Sequence, residues 1–163
     1  MHSHSFFDFV FQPLTDLINF VLFHLRYKVV KNVEEFVRVA RQKGVTSVVV
    51  DPLIEDSGGS YGPIGVIGDF RYMLEITAVV SHGQDVVYQE FSFKRFGSSG
   101  GFADTGDRDK AAMKLLLLGE KKMKELQSLL PDISVTLNGS NGPIDESFLA
   151  KLHRDAQSCG VSV

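Results

Sequence analysis

Two β-prone segments, residues 70–81 and 85–96, flank His82-Gly83 and constrain the fold more than any other part of the chain. Both alternate apolar with polar residues, which is the period of a strand buried on one face. Glycine suits the left-handed positions of a tight hairpin turn. The pattern therefore predicts a long β-hairpin over 70–96.

The apolar residues also predict the register of this hairpin if its loop is His82-Gly83. Ser81 then pairs with Gln84, and one face carries apolar side chains from both strands: Tyr72, Leu74, Ile76, Ala78, Val80, Val87, Phe91 and Phe93. A slip of one residue would mix the two faces, so burial favours this register. In it Glu75 lies directly across from Glu90 on the other face, where like charges are destabilising.

A helix over 33–43 is predicted by its end signals. Asn32 can cap the first turn, Glu35 can reach back to it, and Gly44 stands where helices commonly end. The β-branched run 45–50 that follows predicts a strand, because such residues pack well on a pleated surface.

The rest of the chain predicts four further elements: a long acidic loop over 51–69, a helix over 107–129, a strand over 133–137 and a last helix that opens at Pro143 and buries Cys159. A short strand at 64–67 within the loop is left open. Two glycine-rich stretches, 57–68 and 97–106, match neither the P-loop nor the dinucleotide fingerprint, so we expect flexible loops there. The predicted fold is α+β, with an antiparallel sheet built around the hairpin 70–96 and packed on one face by helices. The element order is α-α-β-β-β-α-β-α.

The N-terminal segment is the most apolar part of the chain. From Pro13 onward a broad helix face recurs, here called the apolar stripe: Leu14, Leu17, Ile18, Val21, Leu22 and Leu25. Phe20 and Phe23 fall outside this stripe, so the helix must bury more than one side. We therefore treat 1–30 as an apolar Phe-rich helical segment and 31–163 as a single α+β domain.

Three environments could bury such a helix: the interior of the fold, a partner subunit or a membrane surface. Asp8 and Asp16 disfavour a helix that spans a membrane. Basic residues are scarce before Arg26, and this disfavours a membrane surface.

Composition narrows the function classes. Seventeen basic against 20 acidic residues give a net charge of −3, which argues against a dedicated nucleic-acid binder. The single cysteine cannot form an internal disulfide, and no targeting pattern is present, so we expect a cytoplasmic protein. Residues 1–5 are interpreted as a disordered end, and whether they are native stays open.

The element order after residue 31, αβββαβ, is similar to the core of PD-(D/E)xK nucleases. The hairpin of that family carries an acidic residue and then Glu-x-Lys, where this chain offers Glu75, then Glu90 and Lys94 with the spacing Glu-x-x-x-Lys. The resemblance implies Mg²⁺ bound by Glu75 and Glu90, with Lys94 either positioning the attacking water or stabilising developing charge. The α-β-β-β-α part also looks like a double-stranded-RNA-binding domain. That family has a lysine cluster at the start of its second helix, and Asp107-Arg-Asp-Lys110 does not match it.

These observations favour a non-enzymatic binding or assembly protein without a cofactor, which self-associates or binds a protein partner through its apolar N-terminal segment. The alternative is a Mg²⁺-dependent, nuclease-like enzyme with carboxylates on the open face of the hairpin. The sequence alone leaves open whether the protein is an enzyme.

Overall fold

The computed structural model describes residues 6–62, 65–97 and 105–163, and side chains within 14–54, 71–91 and 109–163. In these residues the elements are α1 (Phe6–Arg26), β1 (Tyr27–Val29), α2 (Val33–Gln42), β2 (Val45–Gly62), β3 (Gly65–Val80), β4 (Asp85–Gly97), α3 (Thr105–Leu129), β5 (Ser134–Gly139), β6 (Gly142–Pro143) and α4 (Glu146–Ser158). The α+β class is confirmed. The predicted order lacks the short strands β1 and β6.

The six strands form one mixed sheet in the order β1-β4-β3-β2-β5-β6, so the prediction of a purely antiparallel sheet is wrong. β2, β3 and β4 pair antiparallel, as consecutive strands joined by short connections can. β5 follows the helix α3 and lies parallel to β2, because a crossover through a helix returns the chain in the same direction. β1 lies parallel to β4 at the edge of the sheet.

The sheet has two unlike faces. On the covered face, α2 and α3 pack over a continuous core whose sheet residues are Val48, Val50, Leu74, Ile76, Ala78, Val86, Val135 and Leu137. The open face consists of the residues between them, among which Asp51, Met73 and Glu75 are half-buried, whereas Phe91 is 69% exposed. Helices thus bury one face of the sheet, as the sequence predicts.

The hairpin forms, but its register differs from the predicted one by one residue. Its loop has four residues, 81–84, and Asp85 closes it by accepting a hydrogen bond from the amide of Val80 at 3.0 Å. Ala78 consequently pairs with Val86, and Leu74 pairs with Glu90. The prediction assumed that the hairpin phenylalanines are buried, and the exposure of Phe91 shows why it is wrong.

β2 and β3 are longer than predicted. Strand structure covers 51–62 and 65–69, so the predicted loop over 51–69 is wrong, while residues 63 and 64 lie outside the described part. The ladder between the two strands tolerates glycines because backbone pairing needs no side chain. A register shift between Asp56 and Gly59 accommodates one more residue on β2 than on β3.

Pro52 is placed where a strand can accept proline. β2 pairs with β5 only over residues 47–50, so that ladder has ended before Pro52, whose missing N–H is not needed on that edge. Of the second glycine-rich stretch, residues 98–104 lie outside the described part, and Thr105 and Gly106 belong to α3.

The end signals of α2 are confirmed. Asn32 Oδ1 accepts from the amide of Glu35 at 2.8 Å, and Glu35 reaches back to the amide of Lys31 at 3.1 Å. Gly44 has φ of +71°, a conformation that other residues rarely adopt. The last helix instead starts at Glu146, three residues later than Pro143 suggests, with Asp145 as its cap, and Cys159 is exposed rather than buried.

Candidate functional site

The structure does not bring Glu75 and Glu90 together. In the observed register Glu75 pairs with Gln89 and Glu90 pairs with Leu74, so the two carboxylates lie on opposite faces of the sheet. Lys94 lies further along β4, opposite Phe70, and its side chain is outside the described part. The predicted register, which placed the two acids side by side, is wrong. The geometric argument for a Mg²⁺ site at Glu75 and Glu90 depended on that register and therefore no longer holds.

Glu90 has partners of its own on the covered face. The Tyr88 hydroxyl donates to Glu90 Oε1 at 2.9 Å, and Lys122 Nζ on α3 donates to the same oxygen at 2.8 Å. Glu125 Oε2 lies 3.3 Å from the same ammonium group, whose side chain is only 14% exposed. These four residues, here called the Glu90 cluster, join α3 to β4.

The cluster favours the protonated forms of Lys122 and Tyr88. Burial lowers the pKa of Lys122, but the hydrogen bonds and charges of Glu90 and Glu125 outweigh burial and leave that pKa above 10.5. Burial, and next the hydrogen bond to Glu90, raise the pKa of Tyr88 above 10.0. Lys122 is therefore an ammonium ion and Tyr88 a phenol at neutral pH, whereas a catalytic base or nucleophile needs the deprotonated form.

A half-open cavity of about 300 Å³ adjoins the Glu90 cluster. Its apolar wall is formed by Tyr72, Leu74, Phe91, Leu115 and Leu118, and its polar rim includes Lys121. The charges of Lys121 and Lys122 balance those of Glu90 and Glu125, so the rim selects neither an anion nor a cation.

Glu75 does have a like-charged neighbour, but on β2 rather than β4. Asp51 is its partner across the β2–β3 ladder, and Gln89 Nε2 donates to Glu75 Oε2 at 2.9 Å from the other side. Burial, and next the charge of Glu75, raise the pKa of Asp51 above 3.8. Within the described residues no three acidic, histidine or cysteine side chains gather as a metal site would require.

The apolar stripe of α1 is the most exposed apolar surface of the described chain. Eight large apolar side chains of this helix are 44–69% exposed: Leu14, Leu17, Ile18, Phe20, Val21, Leu22, Phe23 and Leu25. The expectation that the helix could lie inside the fold is therefore not met, since α1 contacts the body mainly through β1. No helix in the described part has the length and apolar character to cross a membrane.

The base of α1 is joined to the body by hydrogen bonds from Gln84, while its aromatic contacts lie within α1 and at its junction with β1. The Gln84 side-chain amide donates to the carbonyls of His24 and Tyr27. The rings of Phe20 and Phe23 lie 4.2 and 5.8 Å from that of His24, and Phe23 also lies 5.1 Å from the Tyr27 ring. These aromatic contacts occupy part of the side of α1 that lies away from the apolar stripe.

Comparison with known proteins finds no family model that matches the chain, and neither a curated protein nor a solved structure matches it. The function therefore has to be argued from the geometry of this chain alone.

Sequence reasoning missed Lys122, although a signal for it exists. Leu118 precedes it by four residues and Leu126 follows it by four, so this lysine lies on an otherwise apolar helix face. A lysine at such a position needs a carboxylate partner on the facing strand, and Glu90 is that partner.

Proposed function

We propose that this protein is a non-enzymatic assembly protein that self-associates through α1. The observation that carries the proposal is the exposure of the apolar stripe, in which Leu25 reaches 69% and Leu17 reaches 57%. Contiguous apolar surface of this kind marks interaction sites in folded proteins. Burial of these side chains against a second copy removes them from water, which is the main favourable contribution to protein association.

A protein surface suits α1 better than a lipid surface. Helices that lie on membranes carry lysine and arginine along their polar side. The polar side of α1 instead holds Asp16 and Asn19, and no lysine or arginine precedes Arg26. An acidic residue beside an anionic membrane surface is repelled, whereas a protein partner can supply a matching charge.

The proposal is tested by two variants that add the same charge at adjacent exposed positions of α1. Ile18→Glu places a carboxylate within the apolar stripe, and Asn19→Glu places one on the polar side. Because a buried unpaired carboxylate is strongly unfavourable, Ile18→Glu should weaken association roughly 100-fold or more. Sedimentation velocity should then give 18.0 kDa for this variant, and at least twice that mass for the wild type and Asn19→Glu.

Circular dichroism on both variants shows whether the body of the protein stays folded. A wild-type chain that sediments as a monomer at every accessible concentration rejects the proposal. Equal losses of mass in both variants would also reject it, because the stripe would then have no special role.

A further inference from the structure

The spacing of residues along α1 indicates which surface of a second copy it can fit. Leu14, Ile18, Val21 and Leu25 are separated by four, three and four residues, the a and d spacing of a heptad. In the sequence the same spacing continues back to Phe11 and Phe7. Such a repeat predicts a helix that packs against another helix through one continuous seam.

Resting on the self-association proposed above, we propose that α1 packs antiparallel against α1 of a second copy, about a two-fold axis near residue 16. In this register position 14 faces position 18 of the second copy, 11 faces 21 and 7 faces 25. Each layer of the seam then joins one a position with one d position, and the interface uses the same residues from both copies. An interface of this kind closes on itself as a dimer.

The charges of α1 favour the antiparallel over the parallel arrangement. Its acidic residues are at positions 8 and 16, and its basic residues, His24 and Arg26, are in the last turn. A parallel pair would set the two basic turns side by side and align the helix dipoles. An antiparallel pair places the two basic turns at opposite ends of the seam and opposes the dipoles.

The open face of a second copy is a poorer place for α1. An apolar helix laid on that face would remove water from Asp51 and Glu75, which already lie beside each other across the β2–β3 ladder. That contact would also join two different surfaces, and head-to-tail contacts of this kind extend into chains of molecules unless they form a ring.

Disulfide trapping distinguishes these arrangements in the full chain. In a background of Cys159→Ser, which removes the only native cysteine, Leu14→Cys protein is mixed with Ile18→Cys protein and equilibrated before oxidation. The antiparallel register should give the mixed disulfide between positions 14 and 18 in roughly tenfold excess over either symmetric disulfide, because only that pair meets the Cα distance a disulfide needs. Mass spectrometry of an isotope-labelled and an unlabelled partner identifies the product.

A third variant, Leu25→Cys, is the matched control. In the antiparallel register the two copies of residue 25 lie about 27 Å apart along the seam, too far for a disulfide. Rapid formation of a Leu25→Cys disulfide would overturn the inference in favour of a parallel pair.

The two proposals fail in different ways. A dimeric protein that forms no disulfide between positions 14 and 18 overturns the antiparallel pair and leaves self-association standing. A protein that sediments as a monomer overturns both.

Discussion

α1 and α3 are two long helices rich in large apolar residues, yet only one of them is covered. They contain 21 and 25 residues. In α3 the side chains of Leu115 and Leu126 are 3% and 0% exposed, whereas in α1 those of Leu17 and Leu25 are 57% and 69% exposed. Apolar composition therefore does not decide burial within this chain. What decides it is where each helix lies relative to the sheet.

The two helices differ in how they approach the sheet. α3 lies across β2, β3 and β5 on the covered face, and Gly119 sits at its closest approach. A Cβ at Gly119 would lie 2.8 Å from Cδ1 of Leu137, so the absent side chain is what allows this contact. α1 instead continues directly into β1 at an edge of the sheet, and its stripe meets no comparable surface among the described residues of its own chain.

The largest expected effect is on stability, when the same substitution, leucine to alanine, is made in each of the two helices. Leu126→Ala should lower the free energy of unfolding by about 2–5 kcal/mol, because it leaves a cavity in the core. Leu17→Ala should change that free energy by less than about 0.5 kcal/mol in the monomer, because the side chain is exposed there. Urea unfolding of both variants at a dilution where the chain is monomeric measures the difference.

The same pair of variants can break the comparison. If Leu17→Ala destabilises the dilute monomer as much as Leu126→Ala does, then α1 is packed on its own body and the contrast between the helices is wrong.

A smaller effect is expected at the contact between α3 and β5. Gly119→Val should cost about 1–3 kcal/mol of unfolding free energy, because the added methyl groups have to displace the buried Leu137 side chain. Valine has a higher helix propensity than glycine, so a loss at Gly119 reports packing; Lys121→Val, at an exposed position of the same helix, shows the effect of a valine without that contact. Similar urea midpoints for the two variants would show that α3 does not depend on close approach at Gly119.

Local signals in the sequence predict two helices of this fold, α2 and α3, well. Asn32, Glu35 and Gly44 predict both ends of α2, because capping depends on residues a few positions apart. The helix predicted at 107–129 is observed as Thr105–Leu129 for a similar reason, since its apolar spacing is local and Pro131 lies just beyond its end.

Pairing between strands is predicted less well, because it depends on contacts that the sequence does not display. Val86 and Val87 are both apolar, so the first residues of β4 fit either register. The four-residue loop closed by Asp85 decides between the two registers. Compared with the predicted register, it moves Glu90 to the opposite face of the sheet from Glu75. The candidate site fails for the same reason, since one residue of slip separates Glu75 from Glu90.

The extension of β2 could not be predicted from propensity. The extension, residues 51–62, contains glycines and Pro52, which are depleted in strands, and it is held by pairing with β3. The glycine-rich end of β2 pairs with the start of β3 because the earlier residues of β2 are already paired along the long first strand of the hairpin 70–96. This is a tertiary effect that overrides local preference.

The two faces of the sheet differ in the same way, since one is covered by helices and the other is open. The smallest expected effect, a change in stability at Asp51, tests this difference. Asp51 lies on the open face opposite Glu75, and burial together with that charge raises its pKa in the folded protein above 3.8. A carboxyl whose pKa is raised by folding stabilises the protein while it is protonated, and that contribution is lost as the pH rises through the folded-state pKa. At neutral pH its ionisation is therefore destabilising.

Asp51→Asn should accordingly raise the free energy of unfolding at pH 7 by some tenths of a kcal/mol, up to about 1 kcal/mol, because it removes one of two opposed charges. The gain over wild type should shrink as the pH falls toward 3.8, where the wild-type carboxyl gains its proton. In a Glu75→Gln background the gain should be smaller but not zero, since burial is the larger cause of the shift. A gain that is independent of pH would mean that folding does not raise the pKa of Asp51. A gain that Glu75→Gln leaves unchanged would mean that water on the open face screens Asp51 and Glu75 from each other.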